Sequence, residues 1–196
     1  MARLVVVAAT ANPAKLPEIA AILGEAIELR PRPTDVPDVE EDAPDLVGNA
    51  RLKAVALAEA TGLPALSDDT GLEVDALDGR PGVRSARYAG EDGDAVANVA
   101  KLLGELAAVP EEARTARFRT VVMVRWPDGR EVAAEGVVEG VIAPAPRGGG
   151  GFGYDPVFLA DEGGGLSFAE MDADVKDAIS HRGRALRAVA TLLASI

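Results

Sequence analysis

The run Ser67-Asp68-Asp69-Thr70-Gly71-Leu72-Glu73-Val74-Asp75-Ala76-Leu77 sets two adjacent carboxylates directly after a short apolar segment, Leu63-Pro64-Ala65-Leu66. That segment has the length and character of a strand, and the acids stand at its expected end. Successive side chains of a strand leave on opposite faces, so Asp68 and Asp69 cannot both enter the core. One is available to a cleft while the other braces a loop or caps a turn. A carboxylate at the mouth of a sheet is a natural Mg²⁺ ligand or general base. Asp-Asp-Thr-Gly is also an ordinary turn between two strands. The run alone does not separate the two readings.

Upstream of it, residues 3–9 form a buried strand by their continuous apolar run of β-branched valines. Thr10-Ala11-Asn12-Pro13-Ala14-Lys15 follows, then an amphipathic helix with Leu16, Ile19, Ala20, Ile22 and Leu23 on one side. Asn12 suits the N-cap, Pro13 the first helical position and Gly24 the stop. A strand-loop-helix of this kind aims backbone N–H groups at an anion. Lys15 opposes the helix dipole unless an anion lies near it, the alternative being a solvated surface lysine. A short strand at 27–29 leads into a Pro-rich, acidic loop from Arg30 to Pro44 that contains Glu40-Glu41-Asp42. The next helix runs from about Leu46 to Thr61 and ends at Gly62. Its apolar stripe is Leu46, Ala50, Ala54, Leu57 and Ala58, with Asn49 and Lys53 together on another face.

Downstream, residues 94–107 form a helix. Phe118 to Trp126 and Arg130 to Gly136 form a β-hairpin about Pro127-Asp128-Gly129, and strand character resumes from Val137 to Ile142. Helices follow from Asp174 to Ile179 and from about Arg184 to Ala194. Ser180-His181-Arg182-Gly183 interrupts them, with Ser180 as the N-cap of the second. Gly148-Gly149-Gly150-Gly151-Phe152-Gly153-Tyr154-Asp155-Pro156-Val157-Phe158 reads as a flexible loop whose rings stack on a nucleobase, or as a Gly-rich turn with both rings tucked into the core.

With 196 residues, 48% hydrophobic and 27% charged, the chain is one domain or two tightly joined lobes of an ordinary soluble protein. No apolar run approaches the roughly 20 residues that cross a bilayer, and the first strand is too short to be a secretory signal, so the cytoplasm is the default location. The chain has no cysteine, which excludes disulfides, thiolate metal sites and a cysteine nucleophile. A net charge of −12 argues against a nucleic-acid polymer but not against a mononucleotide held by a few lysines, backbone amides and a metal ion. No Gly-Lys-Ser/Thr follows the glycines, and no G-x-G-x-x-G opens the first helix, so neither a Walker loop nor a dinucleotide fold is supported. Arg130 to Gly136 hints at a Nudix hydrolase, but Ala134 and Val122 stand where acids are required.

Several passages ask for one ligand. Thr10, Asn12 and Lys15 ask for phosphate, Glu41 and Asp69 for a divalent metal, Phe152 and Tyr154 for a ring, and Lys176, His181 and Arg182 supply donors. With these in view the sequence resembles the inosine triphosphate pyrophosphatase family, nearly end to end. The resemblance rests on Thr-Ala-Asn-Pro-Ala-Lys at 10–15, Ser-Asp-Asp-Thr-Gly-Leu at 67–72 and Gly-Val-Arg-Ser-Ala-Arg-Tyr at 82–88. It rests also on Gly-Phe-Gly-Tyr-Asp-Pro-Val-Phe at 151–158, and on Lys176 with Ser-His-Arg at 180–182.

The resemblance implies a single nucleoside triphosphate pyrophosphatase domain over residues 1–196. The implied fold is α/β: an elongated mixed β-sheet with helices on both sides and two lobes flanking a central nucleotide-binding cleft. It implies hydrolysis of a non-standard purine nucleoside triphosphate (ITP, dITP or XTP) to the monophosphate and pyrophosphate, with Mg²⁺ held by Glu41 and Asp69. In that reading Asp69 is the base for water attacking the α-phosphorus, and Thr70 touches substrate. Thr10, Asn12 and Lys15 bind phosphate, and Lys15 and Lys53 stabilise the leaving pyrophosphate. Phe152, Gly153, Tyr154, Asp155, Lys176, His181 and Arg182 form the nucleoside pocket. A homodimer is also implied. Either Glu40 or Glu41 fits the metal position. The family has Glu-Asn-Ala where this chain has Gly48-Asn49-Ala50, so that glutamate's role passes to Glu40, Glu41 or Asp45, or is lost. A non-catalytic nucleotide sensor and a pyrophosphatase for modified pyrimidine nucleotides are the alternatives.

Overall fold

The valine run near the start of the chain forms β1 (Leu4–Ala8), which pairs in parallel with β2 (Ile27–Arg30), Leu4 opposite Ile27. The connection is α1 (Leu16–Leu23). After β2 the chain enters α2 (Leu46–Thr61) and returns as β3 (Ala65–Val74), parallel to β1 on its other side with Val7 opposite Ala65. Parallel strands covered on both faces need continuous apolar sequence, and Leu-Val-Val-Val-Ala supplies it. The remaining elements are β4 (Pro81–Gly82), α3 (Ala95–Glu105), β5 (Thr115–Arg125), β6 (Glu131–Ile142), β7 (Phe158–Ala160), α4 (Ala173–Ile179) and α5 (His181–Leu193). Hydrogen bonding orders the strands β2-β1-β3-β5-β6-β7, with β4 antiparallel on β3 and β7 antiparallel on β6, so the sheet is open and mixed. This computed structural model describes residues 3–10, 15–24, 27–90 and 93–195.

Two compact units share the sheet strands. The first comprises residues 1–69, 120–136 and 182–196; the second comprises 70–119 and 137–181. In the first, the period of two along β1 separates two helix layers. Val6 packs with Ile19 and Leu23 of α1 and Ala185, Leu186 and Val189 of α5. Val7, its neighbour, packs with Leu57 and Ala58 of α2. β3 repeats the division, Leu66 joining the α1/α5 side and Ala65 the α2 side. The second unit is built about Phe118, Phe158 and Phe168, with Phe118 and Phe158 meeting edge to face at 4.7 Å between centroids.

The sequence-based boundaries hold for α2, from its first residue to the left-handed Gly62 that ends it. They differ, for identifiable reasons, at β3, at β6 and at the final helices. β3 does not stop at the acids but runs on to Val74, because buried partners on each face satisfy Asp68 and Asp69 and no turn is needed. β6 is one strand, without a break near Gly136. Only Ser180 interrupts the final helices, since His181, Arg182 and Gly183 already belong to α5. The proposed cap of α1, Asn12, and the Pro13 beside it lie outside the described residues.

Asp45 is the residue that starts α2. Its carboxylate Oδ1 accepts from the Gly48 N–H at 2.7 Å, so it caps the helix. Asp45→Ala is expected to lower stability by about 0.5–2 kcal/mol in urea unfolding, with Asp45→Asn recovering most of it. An alanine variant as stable as the parent would mean that this cap contributes nothing to α2.

Candidate active site

The division of β3 between two helix layers extends beyond its apolar residues. Ser67 and Asp69 continue the α2 side, and Asp68 continues the α1/α5 side. Ser67 Oγ donates to the Ala50 carbonyl of α2 at 2.6 Å. Asp69, 6% exposed, accepts from Lys53 Nζ on Oδ1 at 2.7 Å and from Asn49 Nδ2 on Oδ2 at 3.4 Å, both donors from α2. Asp68, 3% exposed, accepts on Oδ2 from Lys15 Nζ at 2.7 Å and Arg182 Nε at 3.2 Å, from the starts of α1 and α5. Arg182 is itself 2% exposed, and its Nη1 donates to Glu18 of α1 at 2.9 Å. Two neighbouring carboxylates are thus neutralised from opposite faces of one strand.

Glu41 joins on the α2 side, its Oε1 lying 3.1 Å from the same Lys53 Nζ that holds Asp69. Asn49 fixes this arrangement. It is fully buried, it donates to Asp69, and its Oδ1 accepts from the Ala43 backbone N–H at 3.0 Å, tying the acidic loop to α2. Gly48 allows the loop so close: a Cβ there would meet the Ala43 Cβ at 2.5 Å and Asp45 Oδ1 at 3.2 Å. Where the family carries glutamate, this chain has no room for a side chain with the loop in this position.

Burial raises the Asp69 carboxyl above its ordinary value, with Glu41 and Asp68 adding to the rise against the lowering pull of Lys53. Burial pushes Asp68 the same way, but Lys15, Arg182 and Lys53 outweigh it and hold that carboxyl well below the usual carboxylate range. Lys15 is lowered by burial in spite of Asp68, whereas Lys53, flanked by Asp69, Asp68 and Glu41, is raised despite its burial. The strand therefore carries one carboxylate held below its ordinary value and, next to it, one raised above it.

The second unit contains another cluster. Asp155, buried, accepts on Oδ2 from Lys176 Nζ at 2.6 Å and from the Phe152 N–H at 2.8 Å, closing Phe152 to Asp155 into a fixed turn rather than a flexible loop. Lys176 Nζ lies 5.0 Å from the centre of the half-buried Phe152 ring. Tyr154 is a core ring, 5% exposed, whose hydroxyl donates to the Ser85 carbonyl at 2.9 Å. Ser85 Oγ in turn accepts from the Leu72 N–H at 2.8 Å. The 82–88 and 151–158 motifs are therefore joined by packing. His181 stacks on Phe118, 4.5 Å between centroids and 15° from parallel.

Of the residues singled out in the sequence, Lys15, Glu41, Lys53, Asp69 and Arg182 meet in the first unit. Arg182 pairs there with Asp68 and Glu18. Phe152, Gly153, Tyr154, Asp155, Lys176 and His181 belong to the second unit, as does Thr70, which follows Asp69 on β3. Thr10 follows β1 and is half-buried, and Asn12 lies outside the described residues. Glu18, Asn49 and the pairing role of Asp68 were not foreseen. The signal for Asn49 was its position three residues after Leu46 on the buried stripe of α2, and that for Glu18 its place one turn into α1.

One strand of this α/β sheet thus sets a lysine-bound carboxylate pair, Glu41 and Asp69, next to a second buried carboxylate, Asp68. The chain belongs to the Ham1 family, whose profile matches residues 6–192. It is 53% identical over 190 residues to the dITP/XTP pyrophosphatase of Geobacter sulfurreducens, covering 95% of this chain and 94% of that one. To the dITP/XTP pyrophosphatase of Streptomyces coelicolor it is 46% identical over 197 residues, covering 96% of each. Among solved structures it matches a HAM1 protein from Coxiella burnetii with a TM-score of 0.90 at 40% identity, over 98% of this chain and 100% of that one. No helix among the described residues is long and apolar enough to cross a membrane.

The Asp68 carboxyl is held lower in the folded chain than in the unfolded one. Its stabilising contribution is therefore complete above the unfolded value of about 3.9 and is lost as pH falls through the lower folded value. Asp68→Asn, which leaves Lys15 and Arg182 short of a buried partner, is expected to lose about 3–5 kcal/mol at pH 7 in urea unfolding. The gap to the parent should narrow as pH falls below the ordinary carboxylate range. Equal stability of the two proteins at pH 7 would contradict the pairing.

Proposed function

We propose that this protein hydrolyses non-standard purine nucleoside triphosphates, ITP, dITP and XTP, by the reaction NTP + H₂O → NMP + pyrophosphate. The observation that carries the reading is Asp69, held between Lys53 and Asn49 with its acidity weakened by burial, next to the charged Asp68 on β3. The names of the relatives support the same reaction: dITP/XTP pyrophosphatase at 46–53% identity over nearly the whole chain.

Asp69 orients the attacking water and takes its proton, a role for which a raised carboxyl is suited. Lys15 and Lys53 meet the charge that develops on the departing pyrophosphate. Arg182 acts at one remove, holding Asp68, which holds Lys15. Thr10, Asn12 and Thr70 are assigned to substrate contacts on the family pattern.

Glu41 and Asp69 are the proposed ligands of Mg²⁺. Their oxygens already converge on one cation, the Lys53 ammonium, and hard carboxylate donors suit this ion. Mg²⁺ is commonly held by one or two carboxylates together with water and substrate phosphate, which two protein ligands would suit. When bound, such an ion neutralises phosphate charge and polarises its oxygens.

The base is assigned to Phe152, Gly153, Tyr154, Asp155, Lys176 and His181. Phe152 offers the ring face, Tyr154 and Asp155 set the turn that carries it, and Lys176 pins that turn. Hypoxanthine and xanthine present an acceptor at position six where adenine presents a donor. A buried donor from His181 or a loop amide therefore favours the oxo bases and is left unpaired by adenine. A homodimer and a cytoplasmic location complete the proposal. A non-catalytic sensor would be favoured by loss of the glutamate at position 48, and the close approach of Ala43 supplies a packing reason for the glycine there.

A pyrophosphate-release assay with Mg²⁺ over ITP, XTP, dITP, GTP and modified UTP or TTP tests the reading. The three non-standard purines should turn over well ahead of the rest. Asp69→Asn should slow ITP turnover by about 10²-fold or more at saturating Mg²⁺. Near-normal turnover by that variant would remove Asp69 from the chemistry, and a preference for the pyrimidines would overturn the substrate class.

A further inference from the structure

Lys53 has a second task that its place in the cluster reveals. Its ammonium lies 2.7 Å from Asp69 Oδ1 and 3.1 Å from Glu41 Oε1. It is anchored on the third turn of a sixteen-residue helix whose neighbouring residues Asn49, Ala50 and Ala54 are fully buried, so its base is fixed and only its side chain can swing. The cluster as a whole sets three cations, Lys15, Lys53 and Arg182, against four carboxylates, Glu18, Glu41, Asp68 and Asp69. Without Lys53, Glu41 and Asp69 would face each other with only the neutral amide of Asn49 to offset Asp69. Two carboxylates this close, one buried and one half-exposed, repel each other.

We propose that Lys53 is the resident cation of the Glu41–Asp69 pair, and that a divalent ion binds there only as the ammonium is drawn off by the phosphates of an incoming nucleotide. The inference rests on the proposed function, since it takes Glu41 and Asp69 as the metal ligands. It adds that metal and nucleotide enter together. In the absence of nucleotide a divalent ion must displace a cation already paired with both of its ligands, or bind within a few ångströms of it, and either is unfavourable. A triphosphate gives the ammonium another anionic partner and frees the carboxylates at the same moment. The coupling is reciprocal: whatever factor the nucleotide adds to metal affinity, the metal adds to nucleotide affinity. The protein is thereby kept from holding a charged metal site open when there is nothing to hydrolyse.

The test is Mn²⁺ binding to the full chain without nucleotide, read by electron paramagnetic resonance of the free ion. Lys53→Met removes the competing charge while keeping the length of the side chain, and it should bind Mn²⁺ about tenfold or more tightly than the parent, the scale of one close charge interaction. Lys53→Arg keeps the charge and should show no such gain. Adding α,β-methylene-ITP should tighten Mn²⁺ binding strongly in the parent and much less in Lys53→Met. Lys53→Gln should give the same gain as Lys53→Met, and serves if the methionine variant does not fold. Mn²⁺ affinity in the folded neutral variants equal to or below that of the parent overturns the displacement. If Glu41→Gln or Asp69→Asn, placed in the Lys53→Met background, leaves Mn²⁺ binding intact, the metal assignment fails instead. The two failures are thus told apart without any measurement of turnover.

Discussion

A strand that carries two adjacent acids into a protein interior must find a cation on each of its faces. β3 does this, and the first unit is arranged accordingly. On one face α1 and α5 bring Lys15 and Arg182 to Asp68; on the other α2 brings Lys53 and Asn49 to Asp69. The helices that cover the apolar half of the strand are thus the same ones that neutralise its acidic half. An unpaired buried carboxylate costs several kcal/mol, far more than the modest net gain of a paired one. The arrangement is therefore better understood as a constraint on which geometries are tolerated than as a source of stability.

That constraint divides the labour between neighbouring residues. Asp68 faces two full positive charges and stays ionised, while Asp69 faces one lysine and an amide beside a second carboxylate, so burial raises it. Environments that push apart the acidities of two like groups are how one site obtains both a fixed charge and a proton acceptor. The acidic loop is brought into the same balance by Asn49, which bonds the Ala43 backbone on one side and Asp69 on the other, and by Gly48, which removes the side chain that would hold the loop away. A departure from the family pattern at one position is thus matched by closer packing around the same acids.

Much of this was legible in the sequence where periodicity and apolar runs dominate. The bounds of α2 are legible because its stripe, its following glycine and its length agree, and β1 is legible to within a residue at each end because its apolar run is short and rich in β-branched valines. The end of β3 was misplaced because local turn chemistry was weighed against no knowledge of what lay opposite each acid; Lys15, Lys53 and Arg182 are 53, 16 and 114 residues from their carboxylates. Asn49 was put on the polar face for a similar reason: an amide reads as exposed until its two partners, both remote from the helix stripe, are known. Tyr154 and Phe152 looked alike in sequence, yet one reaches the Ser85 carbonyl and is core while the other remains half-buried, a difference set by contacts and not by residue type. The residues of the base assignment owed their recognition to motif resemblance, since no periodicity distinguishes a glycine-rich turn that binds from one that only turns.

On the proposed function, the acids of β3 and the acidic loop form one cation site serving a nucleoside triphosphate. Crystals grown with Mn²⁺ and α,β-methylene-ITP test it most directly, through the anomalous scattering of manganese. The account predicts an anomalous peak bonded to carboxylate oxygens of Glu41 and Asp69, with the Lys53 ammonium moved from both of them onto phosphate. Nucleotide bound with manganese ligated elsewhere, and Lys53 still seated between the two carboxylates, would contradict it.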